Sequence, residues 1–393
     1  MNRQNPRPAV AALIDAAVAT RRDLHQHAEL STEEHRTQRV ILDRLLALGL
    51  EDVRKVADTG VTALVRGAKS GPNVMWRADI DGLPLDEMTS LPFASTTGAM
   101  HACGHDGHVA IGLAIAEVVQ NTRAQLSGTV RFAFQPAEER VGGAKRMIDQ
   151  GVMTAPKVDR VFGLHIWASN PTGDVLVVPG PIFAAATHFR VIIKGRGGHA
   201  SAPHQTVDPI VVAAHTIVAL QTIVSRSIDP AETAVVTVGR LDAGVRGNII
   251  PNEVMMTGTI RTFSQDVLAR VLRRMDEIVH GVTAAFRAEY QLDHSTLPAV
   301  VNDAECAALV QGVAASLLGP DHVGSTRATG ADDMSYFLQE APGAYFLLGA
   351  APPDAERVYP HHHPQFDFDE AALPIGIELG LRVIEEATGS QLG

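Results

Sequence analysis

Between His101 and His108 the chain reads HACGHDGH, setting three imidazoles and a thiol within eight residues, with Asp106 among them. Imidazole and thiolate suit borderline-soft divalent ions, and a neighbouring carboxylate adds a harder ligand. A segment so polar is poor core filler, so the fold must present it where further ligands can converge. Glu138-Glu139, His165 and the run His361-His362-His363 are the candidates. The competing reading is a polar loop whose histidines cap a helix. As a free nucleophile Cys103 would need a base and an oxyanion hole. Cys306, in an apolar helical setting, reads as a small buried hydrophobe.

At 393 residues the chain exceeds the usual single-core limit, so two domains are expected, one inserted in the other. A net charge of -11 without a Lys/Arg stripe argues against a nucleic-acid partner. Two cysteines far apart leave no disulfide framework, which favours a reducing, cytoplasmic setting. The N-terminal stretch reads as an amphipathic helix, because Asp15 interrupts the apolar run a signal peptide needs. No stretch approaches the ~18 uncharged apolar residues of a membrane span, so no membrane partner is expected.

Ser31 to Glu34 has the pattern of a capping box before a helix from about 32 to 48. Short apolar runs at 61–65, 74–78, 129–134 and 160–164 alternate with helical segments at 109–119 and 144–148. That alternation implies an α/β layer with a mostly parallel sheet, whose chemistry belongs at the carboxyl ends of its strands. Asp79 and Asp81, Glu138 and Glu139, and His165 follow three different strands there. Beyond Gly180-Pro181 the order becomes β-α-β-β-α, that of a ferredoxin-like α+β unit. We place this insert at 184–295, leaving 1–183 and 296–393, with a helix at 304–318, a strand at 344–348 and a closing helix at 370–387, as the metal-binding domain.

Adjacent carboxylates point differently in any regular backbone, which suits one of Glu138 and Glu139 as ligand and the other as general base. His165 taken alone reads as a core histidine; its company shifts the balance.

The segments HACGHDGH, QPAEE, GLHIW, GRGGHASAPH, GNIIP, GTIRTF and HHPQFDFDE resemble the motif series of the M20 family of metal-dependent amidohydrolases. The branch resembled includes hippurate hydrolases, auxin-conjugate hydrolases and N-acyl-amino-acid amidohydrolases, and the match runs in order from about residue 75 to 370. The resemblance implies a zinc-peptidase-like catalytic domain with an inserted lid and dimerisation domain. It implies Cys103, His105, Glu139, His165 and His362 as ligands of two divalent ions, and Glu138 as base. Zinc, manganese, nickel and cobalt stay open, because Cys103 and His165 stand where many relatives place aspartates. His199 would reach the partner subunit's site and hold the oxyanion; Asn248 and Arg261 would hold the substrate carboxylate or the scissile carbonyl. The implied substrate is a small N-acyl-amino acid, and the assembly a homodimer or a dimer of dimers. A dipeptidase or carboxypeptidase, an N-acetyl-diaminopimelate deacetylase, and a non-catalytic metal-binding protein are the rivals; an unligated Glu138 argues against the last.

Overall fold

The computed structural model describes residues 6–354 and 358–393. The chain divides into two compact units. One runs up to Ile182 and continues over Val300–Thr326 and from Asp332 onward; the other comprises Phe183–Ala299 and Arg327–Ala331. The insert therefore takes in a short return segment that the sequence reading left with the first domain. The Ala184 N–H donates to the carbonyls of Ala328 and Gly330, a pairing across the chain that no local pattern announces.

Among the described residues, eight strands make the sheet of the first unit. Their order is Glu51–Val56, Gly60–Arg66, Ser127–Gln135, Lys69–Asp79, Arg160–Pro171, Gly343–Ala351, Val175–Leu176 and Val323–Gly324. The middle four run parallel. Antiparallel pairs join at both flanks, so the sheet is mixed and the expected parallel order describes its centre. Strands covered on both faces read as unbroken apolar runs, as Val130 to Phe134 and Ala344 to Leu348 do; only Arg131 is charged there.

The helix His105–Asn121 starts directly from the cysteine-histidine cluster and is buried along nearly its whole length. It packs between the central strands and the helices Ile14–Gln26 and Ala372–Thr388, which explains why its sequence is apolar on every side. The strand holding His165 does not stop there but continues to Pro171.

The capping box at Ser31 is not formed. The helix begins at His35 without a side-chain cap. Ser31 Oγ donates instead to Asp81 at 2.6 Å, and Glu34 accepts from the Thr59 hydroxyl at 2.5 Å and the Ala137 N–H at 2.8 Å. Both side chains serve the site from a distance.

In the second unit four antiparallel strands lie in the order Ala234–Ala243, Glu253–Thr262, Ala185–Lys194, Glu289–Leu297. The helices Pro209–Thr222 and Gln265–Ala285 cover one face over Phe189, Val191, Ile193, Val254 and Met256. The last strand completes the ferredoxin-like β-α-β-β-α-β order. One correction follows for the membrane reading. Pro209–Ser227, 19 residues with a mean hydropathy of 1.4, has the length and composition of a span. Val212, Ala213, Leu220 and Ile223 are buried against this sheet, but only 28% of the apolar window is buried.

Beneath the cluster, Arg21 is buried and donates to Asp106 at 3.0 Å, Asp367 at 2.8 Å and Glu370 at 3.1 Å. His25 bridges Asp106 at 2.8 Å and Glu87 at 3.2 Å. Burial works against a charged His25, but the bonds to Asp106 and Glu87 outweigh it and raise its pKa to about 9. That contribution is fully present below the ordinary value of 6.5 and is lost as pH rises through about 9. We expect stability to fall across this window in the native chain, and His25→Gln to flatten the fall in denaturant titrations. Arg21→Met should cost ~3–5 kcal/mol, the range for leaving a buried acid unpaired. An unchanged midpoint would show that Asp106 finds other donors.

Candidate metal centre

Gly104, in left-handed backbone at φ +84°, turns the chain between Cys103 and the helix that opens with His105. Thiol and imidazole thereby face the same side. His105 Nδ1 lies 2.9 Å from the Asp81 carbonyl, and His165 Nδ1 lies 2.7 Å from the Ile166 carbonyl. A carbonyl only accepts, so each ring carries its proton on Nδ1 and aims the Nε2 lone pair inward. Second-shell carbonyls orient metal-binding histidines in this way.

The inward atoms converge. His165 Nε2 lies 3.5 Å from Cys103 Sγ. Glu139 Oε1 lies 4.0 Å from His105 Nε2 and 3.4 Å from His362 Nε2. Three overlapping groups, Cys103-His105-His165, Cys103-Glu139-His362 and His105-Glu138-Glu139, each keep their ligand atoms within 4.8 Å of one another. His105 Nε2 and Glu139 Oε1 are buried and form no hydrogen bond among the described residues. Buried polar atoms are rarely left so. A donor set of this kind fits a divalent cation.

The acids come from strand ends, as the topology requires. Asp81 accepts the N–H groups of both Glu138 and Glu139 at 3.1 Å, one on each oxygen, so one carboxylate orients the pair. Ala137, Val141 and His362 all have positive φ, between 51° and 66°. Left-handed backbone is costly for a β-branched residue such as Val141 and persists only where the surroundings impose it. Asp79 takes the Nδ1–H of His108 at 2.5 Å and the Arg77 guanidinium at 2.6 Å.

In the bare protein the acids dominate the electrostatics and favour an imidazolium at His105, where a bound cation would require the neutral ring. Burial lowers the pKa of His105, yet Asp79, Asp81 and Glu139 override it and raise it to about 10. Burial, then Asp332 and Glu139, push Glu138 well above the carboxylate range. Burial and the acids nearby push the Cys103 thiol up as well, so a thiolate here needs a cation beside it. His165 is held well below its usual value by burial and by His108 and His361.

Not every candidate joins the cluster. His361 Nε2 bonds the Ile166 carbonyl at 3.0 Å and its ring lies against Trp167, while His363 stacks on Tyr359. Of the three consecutive histidines, His362 alone faces Glu139. His108 accepts the Ile166 N–H at Nε2 and so ties the helix to the neighbouring strand. His101 is buried outside these groups. In the second unit, the short strands Gly198–His199 and Ile249–Ile250 pair, and the Asn248 carbonyl accepts the Ala200 N–H, so His199 and Asn248 lie together. Ser201 N–H and the Ser201 hydroxyl both reach His199 Nδ1, at 3.1 and 2.8 Å. Arg261, half-buried, donates to the Thr259 hydroxyl and the Ile260 carbonyl.

Sequence reasoning missed Glu34, Arg77, Asp332, Asp333 and Tyr345. Arg77 donates to Asp332 at 3.0 Å and to Tyr345 at 3.0 Å. An arginine inside the apolar run VMWRAD was the available signal, since a charge there demands buried partners.

Residues 75–386 match the model of Peptidase family M20/M25/M40. The N-acetylcysteine deacetylase of Bacillus subtilis is 38% identical over 93% of this chain and 96% of its own length. Thermostable carboxypeptidase 1 of Saccharolobus solfataricus is 38% identical over 93% of this chain and 94% of its own. The crystal structure of the Bacillus subtilis YXEP protein, described as a dinuclear metal binding peptidase from the M20 family, superposes with a TM-score of 0.84 at 33% identity. That likeness covers 97% of this chain and 100% of the other. With sequence, fold and ligand cluster in agreement, the chain belongs to peptidase family M20/M25/M40 and is a metal-binding hydrolase of the amidohydrolase type.

Proposed function

We propose that the enzyme hydrolyses the amide bond of N-acyl-amino acids, releasing a carboxylic acid and an amino acid. One observation carries this reading: His105 Nε2 and Glu139 Oε1 are aimed, unbonded, at one spot, with Glu138 beside them as a further carboxylate. Cys103, His105, Glu139, His165 and His362 would hold two divalent cations, zinc, manganese, cobalt or nickel. When bound, such ions polarise a carbonyl and lower the pKa of water from 15.7 to about 7. Glu138 takes the proton of the attacking water and returns it to the leaving nitrogen.

Ser201 surrounds His199 Nδ1, which leaves a Nε2–H facing outward as a donor for the developing oxyanion. We assign it to the site of a second copy of the chain. Exposed Val211, Val218 and Val224 on the 209–227 helix support a covering copy there. Arg261, with Asn248, would hold the substrate carboxylate, since a guanidinium forks onto both oxygens. The N-acetylcysteine deacetylase relative supports an acylated amino acid as substrate. The carboxypeptidase relative, equally similar, favours a second reading in which a peptide's last residue takes the same place. Hydrolysis rates for N-acetyl and N-benzoyl amino acids beside dipeptides separate the two.

Three outcomes are expected. Glu138→Gln should retain metal while losing on the order of 10²–10⁴ in turnover, the usual worth of a positioned acid-base group; Glu139→Gln should lose metal too. Elemental analysis showing equal metal loss in both would reverse the assignment. Arg261→Ala should cost ~2–5 kcal/mol in kcat/KM on a carboxylate substrate. An amidated analogue should be poor for both proteins, and equal losses on both substrates would make Arg261 structural. Finally, mixing inactive Glu138→Ala and His199→Ala chains under subunit exchange should restore activity, because one site of the mixed dimer carries neither lesion. Persistent inactivity after demonstrated exchange rejects the shared site.

A further inference from the structure

The loop from Gln135 to Ala144 carries Glu138 and Glu139, and its two ends come together. A Cβ on Gly143 would sit 1.6 Å from the Pro136 carbonyl oxygen, so only glycine allows the approach. Asp333, fully buried and far along the chain, joins those ends. Its Oδ2 accepts the N–H groups of Gly142 at 3.2 Å and Ala144 at 3.1 Å. Its Oδ1 accepts Gln135 Nε2 at 2.5 Å. Arg77 Nε donates to Gln135 Oε1 at 2.8 Å, and because a guanidinium only donates, the amide must turn its NH₂ toward Asp333. Both oxygens of Asp333 are therefore filled by donors, a set that a carboxylate completes and an amide does not.

We infer that Asp333 is a positioning residue for the Glu138-Glu139 pair, clasping the loop that carries both by joining Gln135 to Gly142 and Ala144. The inference rests on the proposed function in taking Glu138 as base and Glu139 as ligand. Asp81 fixes the two glutamates at the middle of the loop, and Asp333 fixes where that loop begins and ends. The left-handed Ala137 and Val141 lie between these anchors, where an unclasped loop would relax and swing Glu139 off its line to His105 and His362.

Exchanging donor for acceptor tests the clasp. Asp333→Asn sets NH₂ against an N–H on one side or the other. Gln135→Glu sets carboxylate against carboxylate. The double variant Q135E/D333N restores complementarity at these bonds and gives up only two longer contacts, Arg77 Nη2 to Asp333 Oδ1 and Gln135 Nε2 to the Pro136 carbonyl, both at 3.5 Å. In it the new amide at position 333 gives its oxygen to Gly142 and Ala144 and its NH₂ to the new carboxylate at position 135, which still accepts from Arg77, and net charge is unchanged. The readouts are Zn²⁺ affinity of metal-free protein by competition with a chelating indicator, kcat and KM for an N-acetyl-amino acid, and amide hydrogen exchange over 137–144.

Each single variant should weaken Zn²⁺ binding by about 10–100-fold, the usual effect of losing an outer-shell partner. Each should lower kcat more than KM changes and speed exchange at Gly142 and Ala144, and the double variant should recover most of every loss. Wild-type behaviour in the singles, or a double no better than the worse single, overturns the inference. Should D333N fail to fold, a folded, Zn²⁺-binding double variant supports the clasp and an unfolded one overturns it. If the native chain neither binds Zn²⁺ nor cleaves amides, the functional reading fails, while the exchange pattern still decides whether Asp333 closes the loop.

Discussion

Buried negative charge organises the first unit. Asp79, Asp81, Glu138, Asp332 and Asp333 are buried, Glu139 is half-buried beside them, and Arg77 lies among them with ion pairs to Asp79, Asp332 and Asp333. A carboxylate taken out of water is tolerated where donors and opposite charge surround it. Asp81 meets that condition with Ser31 and two backbone N–H groups, and Asp79 with His108 and Arg77. Glu138 and Cys103 stand apart within the ligand cluster, both pushed upward by burial and the neighbouring acids, while Asp333 outside it is raised to about 7 by burial and Asp332. Positive charge in the cluster would reverse the shifts of Glu138 and Cys103. The arrangement is unbalanced as bare protein and balanced as a cation site, which explains why two ligand atoms can be buried without hydrogen bonds.

Much of this was legible because its signals are local. HACGHDGH puts ligand chemistry and a helix start in one segment, and apolar runs followed by acids mark strand ends. Periodicity found every central strand for the same reason, since strands buried on both faces show an unbroken apolar run. Glu51–Val56 and Glu289–Leu297 went unread because they interleave charged and polar residues along the edges of their sheets. The chain returns to the second unit at Arg327–Ala331 through backbone bonds, which leave no mark in residue type.

Ser31 and Glu34 show a different limit. Their spacing satisfies a local rule, but each finds a stronger use elsewhere, Ser31 on Asp81 and Glu34 on Thr59 and Ala137. A helix can start without a cap at a cost of about 1 kcal/mol. Buried donors at Ala137 and Thr59, left unsatisfied, would cost about 1–3 kcal/mol each. The nonlocal demand is the larger, so the capping pattern yields. Arg77 and Asp333 escaped notice for a related reason: they are partners separated by most of the chain.

The same network bears on the roles proposed for the two units. Because one carboxylate, Asp81, holds the N–H groups of Glu138 and Glu139 together, the two cannot be repositioned independently. A change that moved the proposed base would move the proposed ligand with it, which makes this loop a poor place to adapt to new substrates. His199 and Asn248 lie at the small two-stranded pair of the second unit and Arg261 on its four-stranded sheet, and their side chains are exposed or half-buried. On the proposed function, differences in substrate preference would be accommodated most readily in the second unit, while hydrolysis would stay with the strand ends of the first.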